Sequence, residues 1–243
     1  MSTKNDVWVR NQMQTIYAGW TMEGYPHFVQ AEYIDIFAMA TGITKGGLRV
    51  LDAGCGEGLV ASRIKALGNE VIGVDICAEA ISEAVTKRRV DRGIVCDISH
   101  VPLGSETFDL IICVGVLLYH FDLKRPFTEF HRLLKPGGEL LVVDHHRRNP
   151  YTKLHFSRPN IVDRLLEGRD NIPRRALDEK IVAEGSSEIF AWQTPAYLSM
   201  FTQHPHPIIN FVHKIARVVF RGVRWFSKKP WTGNMIVIRG VKK

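Results

Sequence analysis

Short apolar runs alternate with amphipathic helical stretches through the middle of this chain, and that alternation admits few folds. Strands are predicted at residues 48–53, 71–75, 94–97, 108–114 and 140–144, and helices at 59–67, 78–88 and 126–134. Strands that alternate with helices imply right-handed βαβ crossovers and a parallel sheet with both faces covered. We therefore predict an α/β fold built on a doubly wound, mostly parallel sheet.

The 243 residues fit one sizeable α/β domain better than two. Residues 187–193 and 234–241 alternate as strands and are predicted to form an antiparallel pair at one edge of the sheet. We divide the single domain, residues 1–243, into an N-terminal helical lid at 1–46, a core at 47–145, a helical cap insertion at 146–186, and C-terminal strands at 187–243 that enclose a basic amphipathic insertion at 194–233.

A glycine-rich loop, Asp52-Ala53-Gly54-Cys55-Gly56-Glu57-Gly58, joins the first predicted strand to the first helix. Glycine lets the backbone turn sharply and lets a ligand approach the amide groups without meeting a Cβ atom. The carboxyl end of a parallel strand is where a doubly wound sheet binds nucleotide-like ligands. The spacing here is G-x-G-x-G, preceded by an acidic residue, and differs from the G-x-G-x-x-G of dinucleotide-binding dehydrogenases.

Two carboxylates follow the next two predicted strands. Asp75 ends the second strand and can accept both hydroxyls of a ribose. Asp97 ends the predicted third strand and can accept from an exocyclic adenine amine. Either residue alone would be explained as the cap of a following helix. Together, at consecutive strand ends, they predict a single adenosine-containing ligand.

The glycine loop with its strand (residues 50–58) resembles motif I of the class I S-adenosylmethionine-dependent methyltransferases. Residues 116–138, which end in Arg132-Leu133-Leu134-Lys135-Pro136-Gly137-Gly138, resemble the region after strand four in that superfamily. The resemblance implies a seven-stranded-type, Rossmann-like sheet with S-adenosylmethionine as cofactor and S-adenosylhomocysteine as product. It also implies a cofactor site formed by Asp52, Gly54, Cys55, Gly56, Gly58, Asp75, Ile76, Asp97, Ile98, Val114 and Tyr17.

Within this resemblance the parts of the cofactor are distributed along the sheet. The glycines pass under the methionine part, Asp75 binds the ribose, Asp97 with Ile98 holds the adenine, and backbone near Val114 meets the methionyl end. Tyr17 lies in an N-terminal stretch that often folds over the cofactor, although ordinary packing of the first helix is the alternative interpretation. One position departs from the pattern: where many members carry His, this chain has Tyr119, and His120 comes one residue later.

The candidate catalytic residues are His145 and His146, which follow the fifth predicted strand at the cofactor edge. A sulfonium donor is already activated, so a base is required only for an acceptor that must lose a proton, such as a hydroxyl. An unperturbed imidazole pKa of about 6.5 suits that task. We predict no metal site, because adjacent residues at a strand end point to opposite faces and the four cysteines lack metal-ligand spacing.

The net charge of +7 comes from the C-terminal quarter, where nine Lys and Arg and no Asp or Glu follow Glu188. On a helix over residues 207–228, five basic residues fall within an arc of about 80°, opposite a wide apolar arc. Such a helix suits reversible contact with an anionic membrane surface. A helix that packs on the sheet or roofs the active site fits equally well. Nucleic acid is the least favoured partner, because aromatic and basic groups are segregated onto different faces.

The sequence thus predicts S-adenosylmethionine-dependent methyl transfer to a small-molecule acceptor, foremost a hydroxyl of a small, lipophilic metabolite. In general, the sequence resembles quinone-type or lipid-pathway O-methyltransferases. The alternatives are an N- or C-methyltransferase and a non-catalytic subunit that binds the cofactor, while the loop spacing disfavours an NAD-dependent oxidoreductase. No signal-peptide pattern opens the chain, so we expect a cytoplasmic protein, with peripheral membrane contact left open. The oligomeric state is not fixed by the sequence.

Overall fold

The computed structural model describes residues 43, 46–120, 122–149, 152, 175–184, 186–198 and 235–243. The elements, labelled in chain order, are β1 (Arg49–Ala53), α1 (Leu59–Ala66), β2 (Glu70–Asp75), α2 (Ala78–Thr86), β3 (Arg92–Val95), β4 (Phe108–Val114), a 3₁₀ turn (Leu117–Tyr119), α3 (Lys124–Leu133), β5 (Leu134–His145), α4 (Glu179–Ala183), β6 (Phe190–Trp192), β7 (Ala196–Leu198) and β8 (Met235–Lys242).

The strands form one mixed sheet in the order β3-β2-β1-β4-β5-β8-β6, and β7 also pairs with β8. The first five strands are parallel, and β8 runs antiparallel to β5. β6 and β7 lie end to end along the other edge of β8, where Phe190 faces Lys242 and Leu198 faces Met235. Between them one extra residue interrupts the register, as in a β-bulge. The eight strands therefore occupy seven positions, and the predicted α/β fold class is confirmed.

Two apolar layers cover the two faces of the sheet. One layer is dominated by buried aromatic side chains, among them Phe108, Phe127 and Phe130, which pack with Leu51 and Val142. The other layer contains the α1 residues Ala61 and Ile64 over Val50, Leu110 and Val143. Successive strand residues alternate between the layers, as expected for parallel strands buried on both sides.

The structure corrects several predicted boundaries. β3 ends at Val95 rather than at Asp97, so Asp97 lies in the following loop. α3 begins at Lys124, two residues earlier than predicted, because a proline in the first helical turn costs no hydrogen bond. β5 reaches back to Leu134, which pairs with Phe108 before the register shifts. β7 lies within residues assigned to the basic insertion, so the strand pattern continues further along the chain.

Some predictions lie outside the described residues. They are Tyr17 with nearly all of the lid at 1–46, most of the cap insertion at 146–186, and the basic stretch 207–228. Among the helices that the structure describes, none is long and apolar enough to cross a membrane.

Candidate functional site

The glycine loop between β1 and α1 depends on backbone conformations that other residues rarely adopt. Gly54, Gly56 and Gly58 have φ angles of 79°, 51° and 76°. An L-residue in this left-handed region costs about 1–2 kcal/mol, a penalty that glycine escapes. The amides of Gly54 and Cys55 both donate to the Val74 carbonyl, at 2.8 and 3.0 Å, and this holds the loop against the end of β2.

The three glycines have different surroundings. A Cβ atom at Gly54 would lie 2.3 Å from Cγ2 of Val116, and one at Gly58 would lie 3.1 Å from the Cβ atoms of Ala84 and Arg89. A Cβ atom at Gly56 would meet no atom of the described residues within 4 Å. Gly54 and Gly58 are therefore required for close packing, whereas among the described residues Gly56 faces open space that a ligand can enter.

Asp75, at the end of β2, shapes this loop. Its Oδ2 accepts a hydrogen bond from the Gly56 amide at 2.8 Å, and its Oδ1 accepts one from the Cys77 amide at 3.0 Å. Burial raises the pKa of Asp75, and these backbone donors oppose that effect. An ionised carboxylate has about four acceptor sites, so both oxygens retain capacity for ribose hydroxyls. The half-buried Ile76 follows directly.

Asp52, the acidic residue that opens the loop, is almost completely buried, with 2% of its surface exposed. Its Oδ2 has no hydrogen-bond partner within the described part of the chain. Burial, and secondly the charge of Asp75, raises its pKa to about 7. A buried carboxylate oxygen without a partner is costly, and a cationic ligand group beside it would remove that cost. The amine of S-adenosylmethionine is such a group, so this end of the site fits the cofactor.

Asp97 and Ile98 lie beyond the end of β3. The Asp97 Oδ1 accepts from the Ser99 amide at 2.8 Å, and its carbonyl accepts from the His100 amide at 2.9 Å. The Ile98 side chain belongs to the core and is 2% exposed. The structure thus gives Asp97 a turn-forming role, and its contact with adenine stays a prediction.

Val114 ends β4, and the loop that follows it is anchored by a residue to which sequence reasoning gave no such role. Asp144 is fully buried near the end of β5, and its Oδ2 accepts from the Leu118 amide at 3.0 Å while its Oδ1 accepts from the His145 amide at 2.8 Å. Burial raises its pKa to about 7. The signal in the sequence was a carboxylate at a strand end, but its amide partner lies 26 residues away.

The two candidate catalytic histidines differ in environment. His145 is half-buried, whereas His146 is fully buried with its ring 4.8 Å from the ring of Tyr197. The segment at Leu177 fixes both from the side, because its amide donates to the His145 carbonyl and its carbonyl accepts from the Arg147 amide, each at 2.8 Å. Of the two residues, His145 is the one that is partly exposed.

Comparisons with known proteins agree with this geometry. A family model described as "Methyltransferase domain" matches residues 51–142. Malonyl-[acyl-carrier protein] O-methyltransferase of Yersinia pestis is 34% identical over 95 residues, which are 39% of this chain and 36% of the relative. Ubiquinone biosynthesis O-methyltransferase of Rhizobium johnstonii is 30% identical over 149 residues, 57% of this chain and 60% of the relative. The chain thus spans between about a third and three fifths of these curated relatives.

A solved structure shares the fold. It is an S-adenosylmethionine-dependent methyltransferase of Thermotoga maritima, described as a possible histamine N-methyltransferase. The TM-score is 0.62 at 19% identity, and the match covers 89% of this chain and 92% of that one. The family-model match over residues 51–142 thus agrees with the resemblance inferred from the motifs, and the solved structure shows that the fold is shared.

Proposed function

We propose that this chain is a class I S-adenosylmethionine-dependent methyltransferase that transfers a methyl group to an oxygen atom of a small, lipophilic acceptor. The bound cofactor supplies an activated methyl group on a sulfonium. What remains for the protein is to hold donor and acceptor in line, to exclude water, and to accept a proton where the acceptor has one to lose.

One observation carries the cofactor assignment: the buried Asp52 carboxyl, with an oxygen that has no partner in the described chain, opens a loop in which Gly56 faces open space. We assign the cofactor amine to Asp52 and the methionine part to the surface of the loop near Gly54, Cys55, Gly56 and Gly58. Asp75 and Ile76 would bind the ribose, Asp97 and Ile98 the adenine, and backbone at Val114 the methionyl end. S-adenosylhomocysteine is the product expected to remain bound after transfer.

The oxygen acceptor is supported by the two curated relatives, both of which are named O-methyltransferases. The name of one of them places it in ubiquinone biosynthesis, which favours a lipophilic acceptor. The Thermotoga neighbour, described as a possible N-methyltransferase, has the same fold, so the fold alone does not choose the attacking atom. A hydroxyl is therefore our first candidate, and nitrogen or carbon acceptors are the alternatives that product analysis distinguishes.

For a hydroxyl acceptor, we propose His145 as the general base. It is half-buried at the end of β5, next to the loop after β4 that Asp144 anchors. Replacement of His145 by Ala is expected to lower kcat by about 10²–10⁴-fold and to leave the affinity for S-adenosylhomocysteine unchanged. His146→Ala is the matched control, because that ring is fully buried against Tyr197. Full activity of His145→Ala across neutral pH would eliminate His145 as the base.

The function is tested in two steps. Calorimetric titration should show binding of S-adenosylhomocysteine and none of NAD. Transfer of a labelled methyl group is then measured to a hydroxylated aromatic compound with a prenyl tail, to the same compound without the tail, and to its methyl ether. We expect the tailed compound to be the best acceptor and the ether to be inactive. Binding without transfer to any hydroxyl, carboxylate or amine in a wider panel would indicate a non-catalytic subunit.

We further propose that residues 207–228 bind anionic membrane surfaces reversibly, which would suit a lipophilic acceptor. The support lies in the sequence, where the basic residues after Glu188 have no acidic neighbours. Each basic residue near an acidic leaflet contributes about 1 kcal/mol, and salt screens that attraction. The protein should co-sediment with phosphatidylserine-containing vesicles at low salt and be released at about 1 M salt. Equal, negligible binding to acidic and neutral vesicles would assign the stretch to the interior or to the active-site roof.

A further inference from the structure

The Arg-x-Leu-Lys-Pro-Gly-Gly stretch at residues 132–138 contributes an arginine that the proposed chemistry does not use. The Arg132 guanidinium, on the last turn of α3, donates to both carboxylate oxygens of Glu129, at 2.9 and 2.6 Å. It also donates to the carbonyl oxygens of Leu103 at 2.9 Å and Val101 at 3.1 Å, and to the Ser105 hydroxyl at 3.3 Å. One side chain thus holds three oxygens of the loop between β3 and β4.

Glu129, on the same helix, also bonds to this loop. Its Oε1 accepts a hydrogen bond from the Val101 amide at 2.8 Å, and only 8% of the residue is exposed. Both backbone polar groups of Val101 are therefore bound by side chains of α3, while the Val101 side chain is buried in the core. The interaction with Arg132 lowers the pKa of Glu129, which keeps the pair charged at neutral pH.

The loop held in this way begins with the residues assigned to adenine. Val101 lies three residues after Ile98, and the turn between them is closed by the bond from the His100 amide to the Asp97 carbonyl. Ile98 is buried on the same side of the sheet as the aromatic layer that α3 contributes. Only three residues separate Val101 from Asp97, and the turn that they form is closed by hydrogen bonds to Asp97, so a displacement of Val101 is expected to reach Asp97.

We propose that Arg132 is a positioning residue for adenine recognition: through Glu129 and the loop at residues 101–105 it sets the position of the Asp97 carboxylate. The inference rests on the proposed cofactor site, in which Asp97 accepts from the exocyclic amine of adenine. It predicts that Arg132 controls which base the site accepts, and that its loss affects more than the stability of the domain.

The test compares S-adenosylhomocysteine with S-inosylhomocysteine, in which an oxygen replaces the exocyclic amine, by calorimetry on the full chain. The wild type should prefer the adenosine compound by about tenfold or more, since a carboxylate would face an oxygen in the inosine compound. Arg132→Met should lose about tenfold in affinity for the adenosine compound and little for the inosine compound, so that the preference disappears. Arg132→Lys, which retains the charge but not the fork of donors, should fall between the two.

Lys135→Met is the matched control from the same stretch, because the Lys135 ammonium pairs with Asp109 at 2.7 Å, at the start of β4, instead of with the loop at residues 101–105. It should keep the wild-type preference. An Arg132→Met protein that keeps the preference, or that loses affinity for both compounds equally, would overturn the positioning role. A wild type that does not distinguish the two compounds would instead overturn the adenine assignment of Asp97 and with it this inference. Should Arg132→Met fail to fold, the same comparison is made with Arg132→Lys.

Discussion

Two carboxyl groups at neighbouring strand ends have different roles in the cofactor loop. Asp75 accepts from two backbone amides and thereby holds the loop in its conformation. Asp52 lies deeper, with an oxygen that has no partner in the described chain, and its pKa is raised to about 7 by burial and by the nearby Asp75. Asp75 is thus bonded to the backbone of the loop, whereas the Asp52 oxygen that lacks a partner among the described residues supports our proposal that it binds the cofactor amine.

Asp75→Ala tests whether Asp75 also binds the ribose of the cofactor. A ribose carboxylate makes charged hydrogen bonds worth about 1.5–3 kcal/mol, so the Kd for S-adenosylhomocysteine should rise by about ten- to a hundredfold. Circular dichroism should show that the domain remains folded. Asp75→Asn is the control, because its amide oxygen can still accept from the Gly56 amide. If the Kd is unchanged in a folded Asp75→Ala protein, Asp75 only shapes the loop and does not bind the ribose.

At this scale the sequence located Asp52, Asp75 and the glycines, because a strand end and a G-x-G-x-G spacing are local patterns. It did not locate the anchors that reach across the fold. The Asp144 carboxylate bonds to the Leu118 amide, and Arg132 bonds to the carbonyl of Val101, 31 residues away in the chain. Hydrogen bonds of a side chain to a distant backbone follow no short-range spacing, so they became visible only in three dimensions.

At the scale of elements, the loop between β1 and α1 is locked by the loop after β4. Gly54 admits the Val116 side chain so closely that a Cβ atom would lie 2.3 Å from it. Val116 is in turn near the Asp144 anchor, two residues before Leu118. The loop after β1 and the loop after β4 are therefore in close contact at Gly54 and Val116, and a displacement of one is expected to affect the other.

Gly54→Ala is expected to destabilise the domain by about 2–4 kcal/mol, part from the left-handed backbone and part from the clash with Val116. Val116→Ala in the same protein should recover the clash portion, about 1–2 kcal/mol, as a favourable coupling in a double-mutant cycle measured by urea unfolding. Gly56→Ala is the comparison, with a loss of only about 1 kcal/mol because its Cβ atom meets open space. Simple additivity of Gly54→Ala and Val116→Ala would contradict the contact.

Strand and helix boundaries in the core were predictable to within two residues, except for the start of β5, because each apolar run is buried and each helix is amphipathic. The errors have local causes. Asp97 terminates an apolar run, but its side chain accepts from the Ser99 amide and makes a turn instead of extending β3. β7 was missed because three residues after a bulge carry too short an alternation to be recognised.

For the molecule as a whole, several carboxyl groups buried at the cofactor edge make its stability dependent on pH. Burial raises the pKa values of Asp52 and Asp144 to about 7, and that of Asp75 in the same direction. Asp91 and Asp109 have lowered pKa values because each bonds to a lysine, Lys65 and Lys135, near the opposite ends of the strands. The two sets of carboxyl groups titrate in different pH ranges. The burial of Asp52, Asp144 and Asp75 therefore lowers the stability of the folded state mainly above pH 5.

Stability should therefore fall as the pH rises from about 4 to about 7. In that range the unfolded chain ionises Asp52 and Asp144 near pH 4, whereas the folded chain still holds both protons. Each shift of about three pH units corresponds to about 4 kcal/mol of lost stability, fully expressed above pH 7. Below pH 4 the trend reverses, because Asp91 and Asp109 lose their ion pairs when they are protonated. The free energy of unfolding, measured in urea, should be larger at pH 5.5 than at pH 8.

Asp52→Asn separates the contribution of Asp52 from that of Asp144. Without a charge to bury at residue 52, the ligand-free variant should be more stable than the wild type at pH 8, by up to about 4 kcal/mol. At pH 5 this advantage should have fallen to about 1.5 kcal/mol, and below about pH 4 it should vanish, because Asp52 is then protonated in the unfolded wild-type chain as well as in the folded one. The same variant should bind S-adenosylhomocysteine at least tenfold more weakly at pH 8, because the amine of the ligand no longer meets a carboxylate at residue 52. If Asp52→Asn keeps the wild-type pH dependence of stability, Asp52 stays ionised in the folded state. If the variant is more stable but its affinity for S-adenosylhomocysteine is unchanged, Asp52 does not bind the cofactor amine.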